Sequence, residues 1–78
     1  MTRDEAIAVA KDIARQQRWT WTGEIKATLH RPMPVVGWAL GMHPYWKVIS
    51  NADEIGYNVV VKIDDTDRAV LSKRFGSA

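Results

Sequence analysis

Three short runs of β-favouring residues, Tyr45 to Asn51, Tyr57 to Ile63 and Ala69 to Phe75, are separated by two clusters of turn formers. A meander of that kind has one face to bury and nothing within itself to bury it against. The rest of the chain must supply the cover. In the middle run Tyr57, Val59, Val61 and Ile63 point one way, and Asn58, Val60, Lys62 and Asp64 the other. This is the clearest period-two signal in the chain and marks the expected central strand. In the first run Trp46, Val48 and Ser50 share one face, and Tyr45, Lys47, Ile49 and Asn51 the other.

The cover is read at the N-terminus. Thr2-Arg3-Asp4-Glu5 is a capping box, in which the Thr2 hydroxyl accepts from the Glu5 amide and the Glu5 carboxylate accepts from the Thr2 amide. Ala6, Val9, Ala10, Ile13, Ala14 and Gln17 then follow the spacing of one helical stripe, which predicts a helix over residues 3–18. Its side chains are mostly small, so the helix can lie close on a sheet. Glu24 to His30 alternates with Ile25, Ala27 and Leu29 on one face, and reads as a half-solvated edge strand ended by Arg31-Pro32-Met33-Pro34. Residues 31–44 carry three prolines and two glycines among apolar residues, and read as a loop with one short strand or helical turn.

With 78 residues the chain is expected to form a single domain, 1–78, around one two-layer core. It has no cysteine, so a disulfide framework and a thiolate metal site are both excluded. No apolar run approaches the ~18 residues of a membrane span. No signal-length stretch opens the chain, and with Met1 as the natural start a cytoplasmic location is expected, without a membrane partner. Eleven Lys and Arg alternate with nine Asp and Glu instead of forming blocks, which argues against a nucleic-acid partner.

No catalytic set is evident. Asp64, Asp65 and Asp67 form a run too short for an EF-hand calcium loop and read as a self-capped hairpin turn. His30 and His43 lack a third ligand at zinc spacing, and Ser50, Ser72 and Ser77 sit in no nucleophile motif. No cofactor is expected. Trp19, Trp21, Trp38, Trp46, Tyr45 and Tyr57 are more large aromatics than so small a core can hide. Trp46 and one of Trp19 and Trp21 are assigned to the core. Trp38 and Tyr45 are the aromatics expected to stay partly exposed.

A helix beginning EAIAVAKDIA, followed by W-K-V, N-V-V-V-K-I-D-D and A-V-L-S-K, resembles the small PepSY-like and NTF2-like, cystatin-type bacterial domains. The resemblance implies a helix across a curled antiparallel sheet, with an acidic turn between the last two strands. Those families place glycine at the tight turn of that hairpin and often just before the third strand, where this chain has Arg68 and Tyr57. For the last hairpin two registers are open. A bulge at Arg68 pairs Ile63 with Val70, as the resemblance implies, whereas a tighter count pairs Ile63 with Ala69 and buries Leu71 with Phe75, as the hydrophobic pattern favours.

The expected fold is therefore α+β, one N-terminal helix on a curled antiparallel sheet of about four strands in the order α-β-β-β-β. The resemblance implies inhibition or protein binding more than catalysis. The expected function is a non-enzymatic module that blocks a protein partner, a toxin or a peptidase, as an inhibitor or immunity protein. Trp38, His43 and Tyr45 are expected to fill the partner's cleft, with Arg31 and Lys47 on the rim. Two alternatives stay open: a self-associating homodimer, and a small NTF2-like ligand binder or enzyme with His30 or His43 in a pocket.

Overall fold

The computed structural model describes residues 1–31, 43–54 and 56–76. Helix α1 (Arg3–Gln17) is followed by strands β1 (Lys26–His30), β2 (Tyr45–Ile49), β3 (Asn58–Asp64) and β4 (Val70–Gly76). The four strands form one antiparallel sheet in the order β1-β2-β3-β4, so the fold is α+β and the sheet does not close into a barrel. β1 lies at an edge and β3 is internal, as the alternation predicts.

Both halves of the capping box form: the Glu5 amide donates to Thr2 Oγ1 at 3.2 Å, and the Thr2 amide donates to Glu5 Oε1 at 3.0 Å. At the other end Arg18 turns into the left-handed region at φ 60°, and the amides of Arg18 and Trp19 donate to Arg15 and Ala14 carbonyls. This Schellman closure satisfies carbonyls that the helix itself leaves open. It also reverses the chain, so that Trp19 and Trp21 return against the core.

Ala6, Ala10 and Ala14 are fully buried and seat α1 on Val48, Val61 and Ile63. Without bulk on the helix the backbone can approach the sheet closely, and the volume comes from the branched strand residues. Trp46, Trp19, Trp21 and Phe75 pack around this cluster, with Trp19 stacked on Phe75 at 5.8 Å between centroids. Both tryptophans that follow the helix therefore join the core margin, where one was expected.

Tyr57 does not. The alternation placed it with Val59, Val61 and Ile63, yet it is 74% exposed. Its φ of 55° breaks the pleat one residue before β3 begins, so its side chain no longer follows the strand period. An L-residue there carries roughly 1 kcal/mol of strain. Tyr57→Gly is expected to leave the thermal midpoint nearly unchanged, because glycine's greater freedom when unfolded, about 0.5–1 kcal/mol, and the lost contact with the Phe75 ring offset the relief. A calorimetric scan beside the parent protein checks this.

The last hairpin takes the bulged register. Ile63 pairs with Val70 and Lys62 with Ser72, which leaves Leu71 as the extra residue, 54% exposed. The turn decides against the hydrophobic pattern. Asp64 Oδ1 accepts from the amides of Thr66 at 2.7 Å and Asp67 at 3.2 Å, and Asp67 Oδ1 accepts from Ala69 at 2.9 Å. The Arg68 amide donates to the Asp64 carbonyl at 3.1 Å with Arg68 at φ 62°. A turn so closed advances the return strand by one residue. The Arg68 guanidinium meanwhile reaches Glu5 at 2.6 Å, which offsets part of its backbone strain with an ion pair to the helix.

Those amides hold the Asp64 carboxyl below its ordinary value of 3.8, with the Thr66 amide the larger cause. The unfolded chain therefore takes up this proton before the folded one does. Stability from Asp64 is complete above its ordinary value and is lost as pH falls through the lowered one. Denaturant titrations between pH 7 and about pH 2 are expected to show Asp64→Asn less stable at neutral pH, with the gap closing in acid.

Candidate functional site

Side chains alternate between the faces of a strand, so the position of each core residue fixes its neighbours. Lys26 precedes Ala27, Lys47 precedes Val48, Lys62 follows Val61 and Arg74 precedes Phe75. All four cations consequently share the face turned away from α1. The register sets them in two rows across the sheet, Thr28-Lys47-Lys62-Ser72 and Lys26-Ile49-Val60-Arg74. The even alternation of charge along the chain is thus sorted by folding. The strands hold five basic residues against one acid, Asp64, and the remaining acids lie on the helix, before β1 or in turns.

Lys47 and Lys62 are direct cross-strand partners in the middle of the sheet. Like charges so placed, with Cβ atoms about 5 Å apart, repel. Among the described residues none of the four cations has a carboxylate within ion-pair distance. Asp64, on the same face, is committed to its turn. Lys62 instead holds its ammonium 5.7 Å from the centre of the Tyr45 ring. The His30 and Tyr45 rings stack with centroids 5.0 Å apart and 7° between planes, as their cross-strand pairing allows. Tyr45 is thereby engaged by an imidazole and an ammonium.

No family model matches this chain, and neither a curated protein nor a solved structure matches it. What the face can hold follows from its own chemistry. Four ammonium and guanidinium groups and the hydroxyls of Thr28 and Ser72 offer charge and hydrogen bonds on one face, around a half-buried Ile49 and a buried Val60. Among the described residues no group of three or more His, Cys, Asp or Glu side chains is placed to hold a metal ion. Asp65, from the acidic run, accepts from the Trp46 indole N–H at 2.7 Å.

Of the residues expected to meet a partner, Tyr45 and Lys47 share this face, two positions apart on β2. Arg31 and His43 are exposed and flank the paired ends of β1 and β2, beside His30 and Tyr45. Trp38 lies outside the described residues. Tyr45 is half-buried by its neighbours, in keeping with the partly exposed ring expected. Lys62, Lys26 and Arg74 were missed, although each stands one position from a core residue, a signal present in the sequence. On the helix side an open depression of about 380 Å³ is lined by Lys11, Asp12, Arg15, Trp19 and Trp21. Asp12 there accepts from both Arg15 and Gln16, so its charge is already engaged. Among the described residues no helix is long and apolar enough to cross a membrane.

Proposed function

We propose that this chain is a non-enzymatic binding module that blocks a protein partner, in the manner of an inhibitor or immunity protein directed at a toxin or peptidase. The observation that carries the reading is the face of the sheet opposite α1, where Lys47 and Lys62 oppose each other beside the His30–Tyr45 stack. A sequence that tolerates repulsion at the centre of its sheet departs from local consistency, and such departures concentrate where a surface has another use. The resemblance to PepSY-like and NTF2-like domains supports the same class of role. Blocking is steric: Trp38, His43 and Tyr45 fill the partner's cleft, and Arg31 and Lys47 meet its rim.

Affinity capture from a host lysate with the tagged chain, beside Lys47→Glu and Trp38→Ala, tests this. One stoichiometric protein, weakened in either variant, is the expected result. Recovery of the chain alone, or equal recovery in all lanes, would remove the reading.

One observation favours self-association as a second reading. β4 is an edge strand that exposes Val70 and Leu71 at 43% and 54%, a surface another strand could use. Sedimentation equilibrium over a wide concentration range, repeated with Leu71→Lys, distinguishes a monomer from a dimer made through that edge.

A further inference from the structure

We propose that the partner surface this sheet face recognises is acidic protein, a carboxylate-rich segment laid across the two cationic rows. The inference rests on the binding-module reading and adds the chemistry of what is bound. Charge complementarity carries it. Lys26, Lys47, Lys62 and Arg74 are gathered on one face, with no carboxylate of the described residues in ion-pair reach. Across the rows strands lie about 4.8 Å apart, and along a strand residues of one face repeat at roughly 6.6 Å. Lys47 and Lys62 are adjacent across the sheet, and Lys26 and Arg74 each lie one strand over and one repeat along from them, about 8 Å on the diagonal, so the carboxylates of a segment crossing the strands can meet the four cations in turn.

The repulsion between Lys47 and Lys62 is relieved when an anion sits between them, so the energy held apart in the free protein is returned on binding. The hydroxyls of Thr28 and Ser72 stand at the two ends of the same row, about 14 Å apart, where flanking acceptors of the segment can reach them. The arrangement favours polypeptide over single-stranded nucleic acid. Nucleic-acid sheets hold bases by stacking them on open aromatic faces. Here the ring of Tyr45 carries the stacked His30 imidazole and the Lys62 ammonium, and Ile49 and Val60 between the cations are aliphatic. The face supplies charge and hydroxyls, and the Tyr45 ring at its end is already occupied.

The test is a calorimetric titration of the full chain with a synthetic oligoglutamate peptide, repeated with single-stranded oligouridylate. Three double variants accompany it: Lys47→Gln/Lys62→Gln, Lys26→Gln/Arg74→Gln, and Arg3→Gln/Lys11→Gln, which removes equal charge from the helix. Oligoglutamate is expected to bind, to weaken with salt, and to lose about tenfold in affinity in each sheet variant but not in the helix variant. Thermal melts of Lys47→Gln/Lys62→Gln are expected at or above the parent's, since the change removes a repulsion. The exposed pair Lys26 and Arg74 keeps the test open if the central pair does not fold. No binding, equal losses in sheet and helix variants, or tighter binding of oligouridylate would each overturn the proposal. A partner captured in a Lys47-dependent way, beside absent oligoglutamate binding, would remove the acidic chemistry and leave the binding module standing. Failure of both experiments would remove both.

Discussion

Ile63→Ala is expected to cost about 2–5 kcal/mol, the range for truncating a buried aliphatic side chain where the surroundings cannot collapse. Ile63 is fully buried on the internal strand β3, opposite Trp46 on one side and Val70 on the other, and α1 covers it with alanines. Small helix side chains have no length with which to fill the space left behind. A domain of 78 residues has on the order of 4–12 kcal/mol in total, so the loss is a large share. Urea denaturation is expected to show a lowered midpoint with an unchanged slope. Ile63→Val, which keeps the branch, is expected to cost about 1 kcal/mol.

Asn58→Asp is the second large effect, and it carries a pH signature. Asn58 is 1% exposed, and its Nδ2 donates to the carbonyls of Ser50 at 2.9 Å, Asn51 at 2.8 Å and Glu54 at 3.4 Å. One amide thus closes the turn between β2 and β3. The adjoining Ser50 Oγ accepts from the Val59 amide at 2.9 Å, which extends the same network. An introduced carboxylate would turn an acceptor toward three carbonyl oxygens in a buried site. The expected cost at neutral pH is about 3 kcal/mol or more. Burial among carbonyls raises the folded-state pKa of the introduced carboxyl above its unfolded value. The loss is therefore full above the raised value and shrinks as pH falls through it, the reverse of the trend at Asp64. Asn58→Ala is expected to cost about 1–3 kcal/mol with no such dependence, and denaturation curves at pH 5 and pH 8 separate the two.

Much of this fold is written in local patterns. The capping box, the alanine stripe and the edge character of β1 follow from neighbours a few residues apart, and each formed as those residues dictate. Tyr57 and Leu71 were legible only in part. Their types say core, but a left-handed residue before β3 and a self-capped turn before β4 override type, because backbone geometry sets the parity of everything that follows. The positions of strain lie where the resemblance to PepSY-like and NTF2-like domains leads one to expect glycine, and Arg68 and Tyr57 there both adopt positive φ.

The candidate site was harder to see for a different reason. Tyr45 and Lys47 neighbour each other in the sequence and were found together. Lys47 and Lys62 are fifteen residues apart, and only the register of β2 against β3 makes them partners. Charge balance read along the chain conceals such a face, because acids and bases that alternate in sequence separate onto turns and strands once the pleat is formed. Parity relative to the core was the usable signal. Asn58 was hidden likewise, its role depending on a turn whose carbonyls converge only after folding.

The most direct measurement is a map of backbone amide shifts in the labelled protein as oligoglutamate is added. The prediction is that shifts concentrate at Lys26, Lys47, Lys62 and Arg74 and extend to Tyr45, while Arg3, Lys11 and Arg15 on α1 stay unmoved. Shifts centred on α1 and the depression beside Trp19 and Trp21, with β2 and β3 unaffected, would contradict the assignment of the open sheet face as the binding surface.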